Sequence, residues 1–115
     1  MLVGGDGRQI VGFGACQACE DALHLWELAV RRERQGQGIG RAIVAACTDL
    51  GRRRGLPAVT LSTFRDIAWN APFYGRLGFI EVPEAAFNRR LALIRQREVD
   101  LGLDVANRCA MRLTL

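Results

Sequence analysis

Three glycines at alternate positions, Gly36, Gly38 and Gly40, stand between an apolar run and an amphipathic segment. The run Leu23 to Val30 reads as a strand, and Arg31 to Gln35 as the charged turn that leaves it. Glycines at a helix entrance let the backbone approach a bulky anion, because no Cβ stands in the way. The first helical turn adds N–H groups without intrahelical partners and the positive end of the helix dipole. Such a turn is built to hold phosphate. It lacks the lysine and hydroxyl of a Walker loop, and it lacks the G-x-G-x-x-G spacing of a dinucleotide fold. A flexible turn with no ligand is the plain alternative, and the glycines alone do not decide between the two.

A second constellation follows downstream. Thr60-Leu61-Ser62-Thr63 ends another apolar strand, and Asn70-Ala71-Pro72-Phe73-Tyr74-Gly75-Arg76-Leu77-Gly78-Phe79 comes after it. The two motifs are separated by a helix and a strand. Together they resemble the GNAT superfamily of acyl-CoA N-acyltransferases. Gln35-x-x-Gly38-x-Gly40 fits the Q/R-x-x-G-x-G/A signature of its pyrophosphate turn. Phe73 to Phe79 fits its F-Y-x-x-x-G-F helix, with Asn70 nearer to Phe73 than in many members. The resemblance implies transfer of an acetyl group from acetyl-CoA to a primary amine, by direct attack in a ternary complex. Acetyl-CoA is then a co-substrate, and no metal is expected.

The resemblance also distributes roles. Leu28, Ala29 and Val30 match the strand whose freed backbone groups bind the pantetheine arm and polarise the thioester carbonyl. Arg34, Gln35, Gly36, Gln37, Gly38, Ile39, Gly40 and Arg41 match the pyrophosphate turn, where the two arginines either add charge or form a solvated face. Asn70 and Phe73 match coenzyme contacts, although Asn70 can equally cap its helix. Tyr74, the only tyrosine, falls at the position of the general acid. A phenol with a pKa of about 10 stays protonated at neutral pH and can donate to a leaving thiolate. Simple packing of Phe73 and Tyr74 onto the sheet competes with that role. Glu27 is the expected general base and His24 its rival. Three residues apart on one strand, only one of them points into the cleft if the pairing is regular. A lone histidine on an apolar strand is more often a satisfied core residue.

These groups need elements to position them. Met1 to Val3 reads as a short strand, Gly4 to Gly7 as a tight turn, and Gln9 to Ala15 as the returning strand. A loop over Gln17 to Asp21 leads into the strand ending at Val30, where Glu27-Leu28-Ala29 permits a bulge. A helix is expected from Gly38 to about Arg54, closed by Gly55, and a buried strand from Ala58 to Ser62. A short helix over Ala71 to Leu77 and a strand over Phe79 to Val82 come next. One long helix from Pro83 to about Val99 and a final strand from Asn107 to Leu115 complete the plan. The fold class is α/β: a GNAT-like mixed, mostly antiparallel sheet flanked by helices, in one domain over residues 1–115. It reads as N-terminally shortened, since the family's first strand and acceptor-wall helices have no counterpart.

Composition narrows the remaining choices. Half of the 115 residues are apolar and 24% are charged, as in an ordinary globular chain. No apolar run reaches the length of a membrane span and no leader opens the chain, so a cytoplasmic protein without membrane partners is expected. The net charge of +4 comes from arginine alone, since the chain has no lysine. No aromatic-interleaved basic stripe accompanies it, so a polyanionic small molecule explains the charge better than nucleic acid. Cys16 and Cys19 have metal or redox spacing, with His24 near, and Cys47 or Cys109 would have to complete a zinc site. Reduced thiols are the expectation. An open edge at Met1 to Val3 and the apolar Phe87, Leu91, Leu93 and Ile94 suggest a homodimer whose partner helps wall the acceptor site. The acceptor is a small-molecule or peptide amine. A coenzyme-binding module without activity, serving as sensor or oligomerising subunit, is the alternative from a different class.

Overall fold

The computed structural model of the chain describes residues 2–3, 12–68 and 70–115. They form two compact units, Met1–Thr60 with Thr114–Leu115, and Leu61–Leu113. The turn expected over Gly4 to Gly7 and the first residues of the returning strand lie outside the described residues.

The first unit holds strands β1 (Leu2–Val3), β2 (Gly12–Ala18) and β3 (Leu23–Val30), helix α1 (Ile39–Arg53) and the start of β4 (Ala58–Phe64). β1 pairs antiparallel with β2 and β2 antiparallel with β3, and β4 follows β3 in the strand order. Helix α1 packs against β2 and β3. Its buried face carries Ile43, Val44 and Cys47, at the spacing a helix needs to present one stripe. Glycines in β2 allow the close approach: a Cβ on Gly14 would stand 2.8 Å from the Ile43 side chain. Each apolar side chain buried here contributes about 1.5–3 kcal/mol. Gly55 closes the helix at φ +70°, with the Leu56 N–H on the Gly51 carbonyl.

A bulge is present, one step earlier than Glu27. Ala15 pairs with Glu27, yet Cys16 pairs with Leu25, which leaves Trp26 as the extra residue of β3. The irregularity changes the facing of the strand. Ala15 and Gln17 lie on one face of β2, and their partners Glu27 and His24 share that face. Leu25 and its partner Cys16 take the other face, where Cys16, Leu25 and Cys47 are buried. The expectation that only one of His24 and Glu27 points to a given side assumed regular pairing, and the bulge overturns it.

The second unit holds the rest of β4, helix α2 (Ala71–Arg76), strand β5 (Ile80–Val82), helix α3 (Arg89–Asp100) and most of β6 (Arg108–Thr114). β6 lies between β4 and β5 and pairs antiparallel with β5. The long helix expected from Pro83 is broken. Glu84–Ala86 form a single 3₁₀ turn, and Phe87 and Asn88 are extended. The helix then restarts with the Asn88 side chain accepting from the Leu91 N–H at 2.9 Å. Asparagine is a strong N-cap, and it sets the true start of α3. Glu98, buried on this helix, accepts from Ser62 Oγ at 2.6 Å, Arg108 Nε at 2.9 Å and Arg95 Nε at 3.2 Å. Both of its oxygens are used, as a buried carboxylate requires.

Candidate functional site

Strand β3 ends at Val30, and a 3₁₀ turn over Arg32–Arg34 carries the chain into the glycine segment. Gly36 and Gly38 both sit at φ +80°. A Cβ on either would meet nothing within 4 Å, so backbone conformation, not crowding, makes these two positions glycine. Gly40 lies in the first turn of α1 and is not among the positive-φ glycines. Gly38 occupies the N-cap of α1 and no side chain caps the helix. The first bond of the helix runs from the Ala42 N–H to the Gly38 carbonyl at 3.0 Å. The N–H groups of Ile39, Gly40 and Arg41 precede it, so the helix presents an open N-terminus.

Side chains brace this turn. Gln35 Nε2 donates to the Val30 carbonyl at 3.2 Å, tying the turn to the strand it leaves. Arg34 Nε donates to Gln37 Oε1 at 2.9 Å. Arg34 is half-buried, whereas Arg41 is exposed in the first turn of α1. Leu28, Ala29 and Val30 are half-buried rather than core. The brace from Gln35 is a contact that motif reading did not supply.

On β3 the two candidate bases differ sharply. His24 is 1% exposed, and its Nδ1 lies 2.8 Å from Thr60 Oγ1. Its ring meets Trp26 in a T-shaped contact, centroids 4.4 Å apart. That is the satisfied core histidine. Glu27 is exposed on the same face, and among the described residues no cation pairs with it. Of the two, Glu27 is the carboxylate within reach of a diffusing molecule.

In the second unit, Tyr74 is buried on α2, with ring contacts to Phe73 at 5.2 Å and Phe79 at 5.5 Å. The aromatic packing is therefore real, and it holds the phenol in one place. Asn70 stands at the N-cap of α2, but its side chain does not cap the helix. Its Oδ1 accepts from Thr63 Oγ1 at 2.9 Å instead, which joins α2 to the end of β4. Only its backbone carbonyl serves the helix, by accepting the Tyr74 N–H at 3.0 Å. This unit also contains a cavity of about 200 Å³ lined by Arg65, Glu81, Phe87, Arg95, Arg108 and Cys109 among others. None of its lining residues belongs to either motif.

The cysteine arrangement differs from its sequence spacing. Cys16 is buried and Cys19 half-buried, and Cys47 lies beside Cys16 in the core under α1. Burial pushes the Cys47 thiol up to about 12, and the neighbouring Cys16 thiol adds to the rise. Burial raises Cys109 as well, and its hydrogen bond with Glu81 adds to the rise. Among the described residues no group of three or more His, Cys, Asp or Glu side chains is placed to hold a metal ion.

Comparison with known proteins matches residues 1–81 to the Acetyltransferase (GNAT) domain, a span that includes both motifs. The Rv2747 protein of Mycobacterium tuberculosis, solved with CoA, is 28% identical over 94% of this chain and 69% of its own, with a TM-score of 0.69. The ribosomal-protein alanine N-acetyltransferase of Escherichia coli shares the fold at 20% identity and TM-score 0.69, over 96% of this chain and 64% of its own. A Bacillus anthracis structure solved with acetyl coenzyme A shares it at 18% identity and TM-score 0.70, over 93% and 57%. The chain thus spans roughly two thirds of the length of these structures.

Proposed function

Because this chain belongs to the GNAT acetyltransferase family, we propose that it transfers the acetyl group of acetyl-CoA to a primary amine. The observation that carries the proposal is the uncapped N-terminus of α1 behind two positive-φ glycines, inside the matched span. Backbone N–H groups at Ile39, Gly40 and Arg41 would hold the pyrophosphate, with Arg41 adding charge. Gln35 would keep the turn in register through Val30, and Leu28 to Val30 would receive the pantetheine arm.

The chemistry is direct. The amine nitrogen forms a bond to the acetyl carbon while the carbon–sulfur bond breaks. Glu27 takes the proton the amine must lose, and Tyr74 gives one to the departing thiolate. Asn70 and Phe73 fix the position of Tyr74 on its helix. Orientation of the two reactants supplies several kcal/mol of the barrier reduction, on the order of 7–11 kcal/mol in well-aligned systems, so no acyl-enzyme is needed.

In this reading residues 1–115 act as one acetyltransferase domain on a small-molecule or peptide amine, in the cytoplasm and without nucleic acid. No described helix is long and apolar enough to cross a membrane. Exposed Leu93, Leu101 and Leu103 favour a homodimer, whose second copy would cover them. Acetyl-CoA turnover with a panel of amines, read as thiol release, tests the proposal. Tight binding of acetyl-CoA with no turnover of any amine would favour the inactive coenzyme-binding module. Sedimentation equilibrium at micromolar concentration tests the dimer, which an active monomer would overturn.

A further inference from the structure

Among the described residues of the first unit, Trp26 is the one large apolar side chain that is exposed, at 49%. An exposed tryptophan is costly, and here the backbone puts it there: the bulge makes Trp26 the unpaired residue of β3. The ring is not loose. Its Nε1–H donates to Gln17 Oε1 at 3.1 Å, and its face-to-edge contact with His24 fixes the tilt. His24 is in turn held by Thr60. The exposed carboxylate of Glu27 follows directly, on the face shared by Gln17 and His24.

From these observations we propose that Trp26 and Glu27 form the docking point for the acceptor, and that the acceptor is an amine carrying a second positive charge. The inference rests on the acetyl-transfer reading and adds the substrate class. An aromatic face attracts an ammonium through its quadrupole, and a pre-oriented ring gives up less entropy in doing so. Glu27 adds opposite charge beside it and repels acceptors that bear a carboxylate. Primary alkyl amines are protonated at neutral pH, so an acceptor reaches the protein as a cation. The strand rise is about 3.3 Å per residue, which puts Trp26 roughly 7–13 Å along the strand from the Leu28 to Val30 backbone. A short alkyl chain reaches the near end of that interval. One ammonium of a diamine can rest on Trp26 while Glu27, one residue nearer the strand segment assigned to the thioester, takes the proton of the other end.

The experiment follows the indole N–H resonances of the two tryptophans by ¹H–¹⁵N NMR, with Trp26→Phe assigning the Trp26 signal. The probes are 1,4-diaminobutane, the neutral 1,4-butanediol and the anionic succinate, each with and without acetyl-CoA. The diamine should move the Trp26 resonance saturably, and the diol and succinate should leave it in place. Trp26→Phe should keep diamine affinity within about 2-fold, read on backbone signals of β3, since phenylalanine retains a π face. Trp26→Leu and Glu27→Gln should each weaken it about 5-fold or more, with the acetyl-CoA dissociation constant unchanged. Equal responses to diamine and diol would overturn the proposal, as would no response to the diamine in a protein that binds acetyl-CoA. Failure of acetyl-CoA to bind, with the diamine response intact, would count against the acetyl-transfer reading and not against the cation site.

Discussion

Gln35 reaches back across the turn it opens and donates to the Val30 carbonyl at 3.2 Å. The bond joins the end of the strand assigned to the thioester to the start of the loop assigned to the pyrophosphate. A net hydrogen bond contributes about 0.5–1.5 kcal/mol. Because Gln35 is exposed, its loss leaves no buried group unsatisfied. Gln35→Ala should therefore leave thermal stability nearly unchanged. Acetyl-CoA affinity should fall by about 3- to 10-fold, measured by calorimetry. An unchanged affinity would reduce Gln35 to an ornament of the turn.

Gly38 tests the turn from the other side. Its φ of +80° is open to glycine and strained for any β-branched residue, although the space around it is free. Gly38→Val should cost about 1–2 kcal/mol from backbone conformation alone. The parent should gain about 2.7 kcal/mol at acetyl-CoA ~100 times its dissociation constant. The variant should fold and show little of that gain in a denaturation series. Full stabilisation by acetyl-CoA in Gly38→Val would refute the phosphate-turn assignment.

Tyr74 is packed between aromatic neighbours and is proposed as the general acid, and one substitution separates the two roles. Tyr74→Phe keeps the ring contacts to Phe73 and Phe79 and removes only the hydroxyl. With an acceptor in hand, kcat should fall roughly 10²-fold or more while acetyl-CoA binding holds. Thr63→Val removes the donor to Asn70 Oδ1, so it should lower kcat far less and chiefly loosen α2. Equal effects of the two substitutions would assign Tyr74 to packing.

Much of this arrangement could be read from residue types, because it depends on local rules. Glycine spacing marked the turn before α1, and Gly55 marked the end of α1, where it adopts positive φ. The missed features are those that depend on a partner. Which residue of β3 bulges is a property of its register against β2, and Trp26 in place of Glu27 reverses the facing of His24 relative to Glu27. Asn70 has the residue type of a cap, yet Thr63, seven positions earlier, claims its side chain. The break before α3 carried a local sign in Asn88, masked by Pro83 and Glu84, which offer an earlier helix start. Cys16 and Cys19 suggested a pair by spacing, but strand geometry sends Cys16 into the core beside Cys47 and leaves Cys19 near the surface.

That buried thiol gives a pH dependence with a definite sign. Burial pushes Cys47 from 9.0 up to about 12, with the Cys16 thiol adding to the rise, so the folded protein keeps this proton where the unfolded chain loses it. Below about pH 9 both states are protonated and the stabilisation is fully present. Between about 9 and 12 the unfolded state binds fewer protons, and stability falls as pH rises, by at most about 1.4 kcal/mol per unit for one thiol. Cys109, raised in the same direction, steepens the fall. The urea midpoint should therefore drop between pH 9 and pH 10.5, and Cys47→Ala should show a shallower slope than the parent. Only slopes are compared, because the smaller side chain also leaves a cavity that shifts the midpoint at every pH. At pH 8 a thiol reagent should modify Cys19 first and reach Cys47 only as fast as the protein opens. Labelling of Cys47 at the rate of Cys19, or parallel slopes for the variant and the parent, would show that the core under α1 does not shield this sulfur.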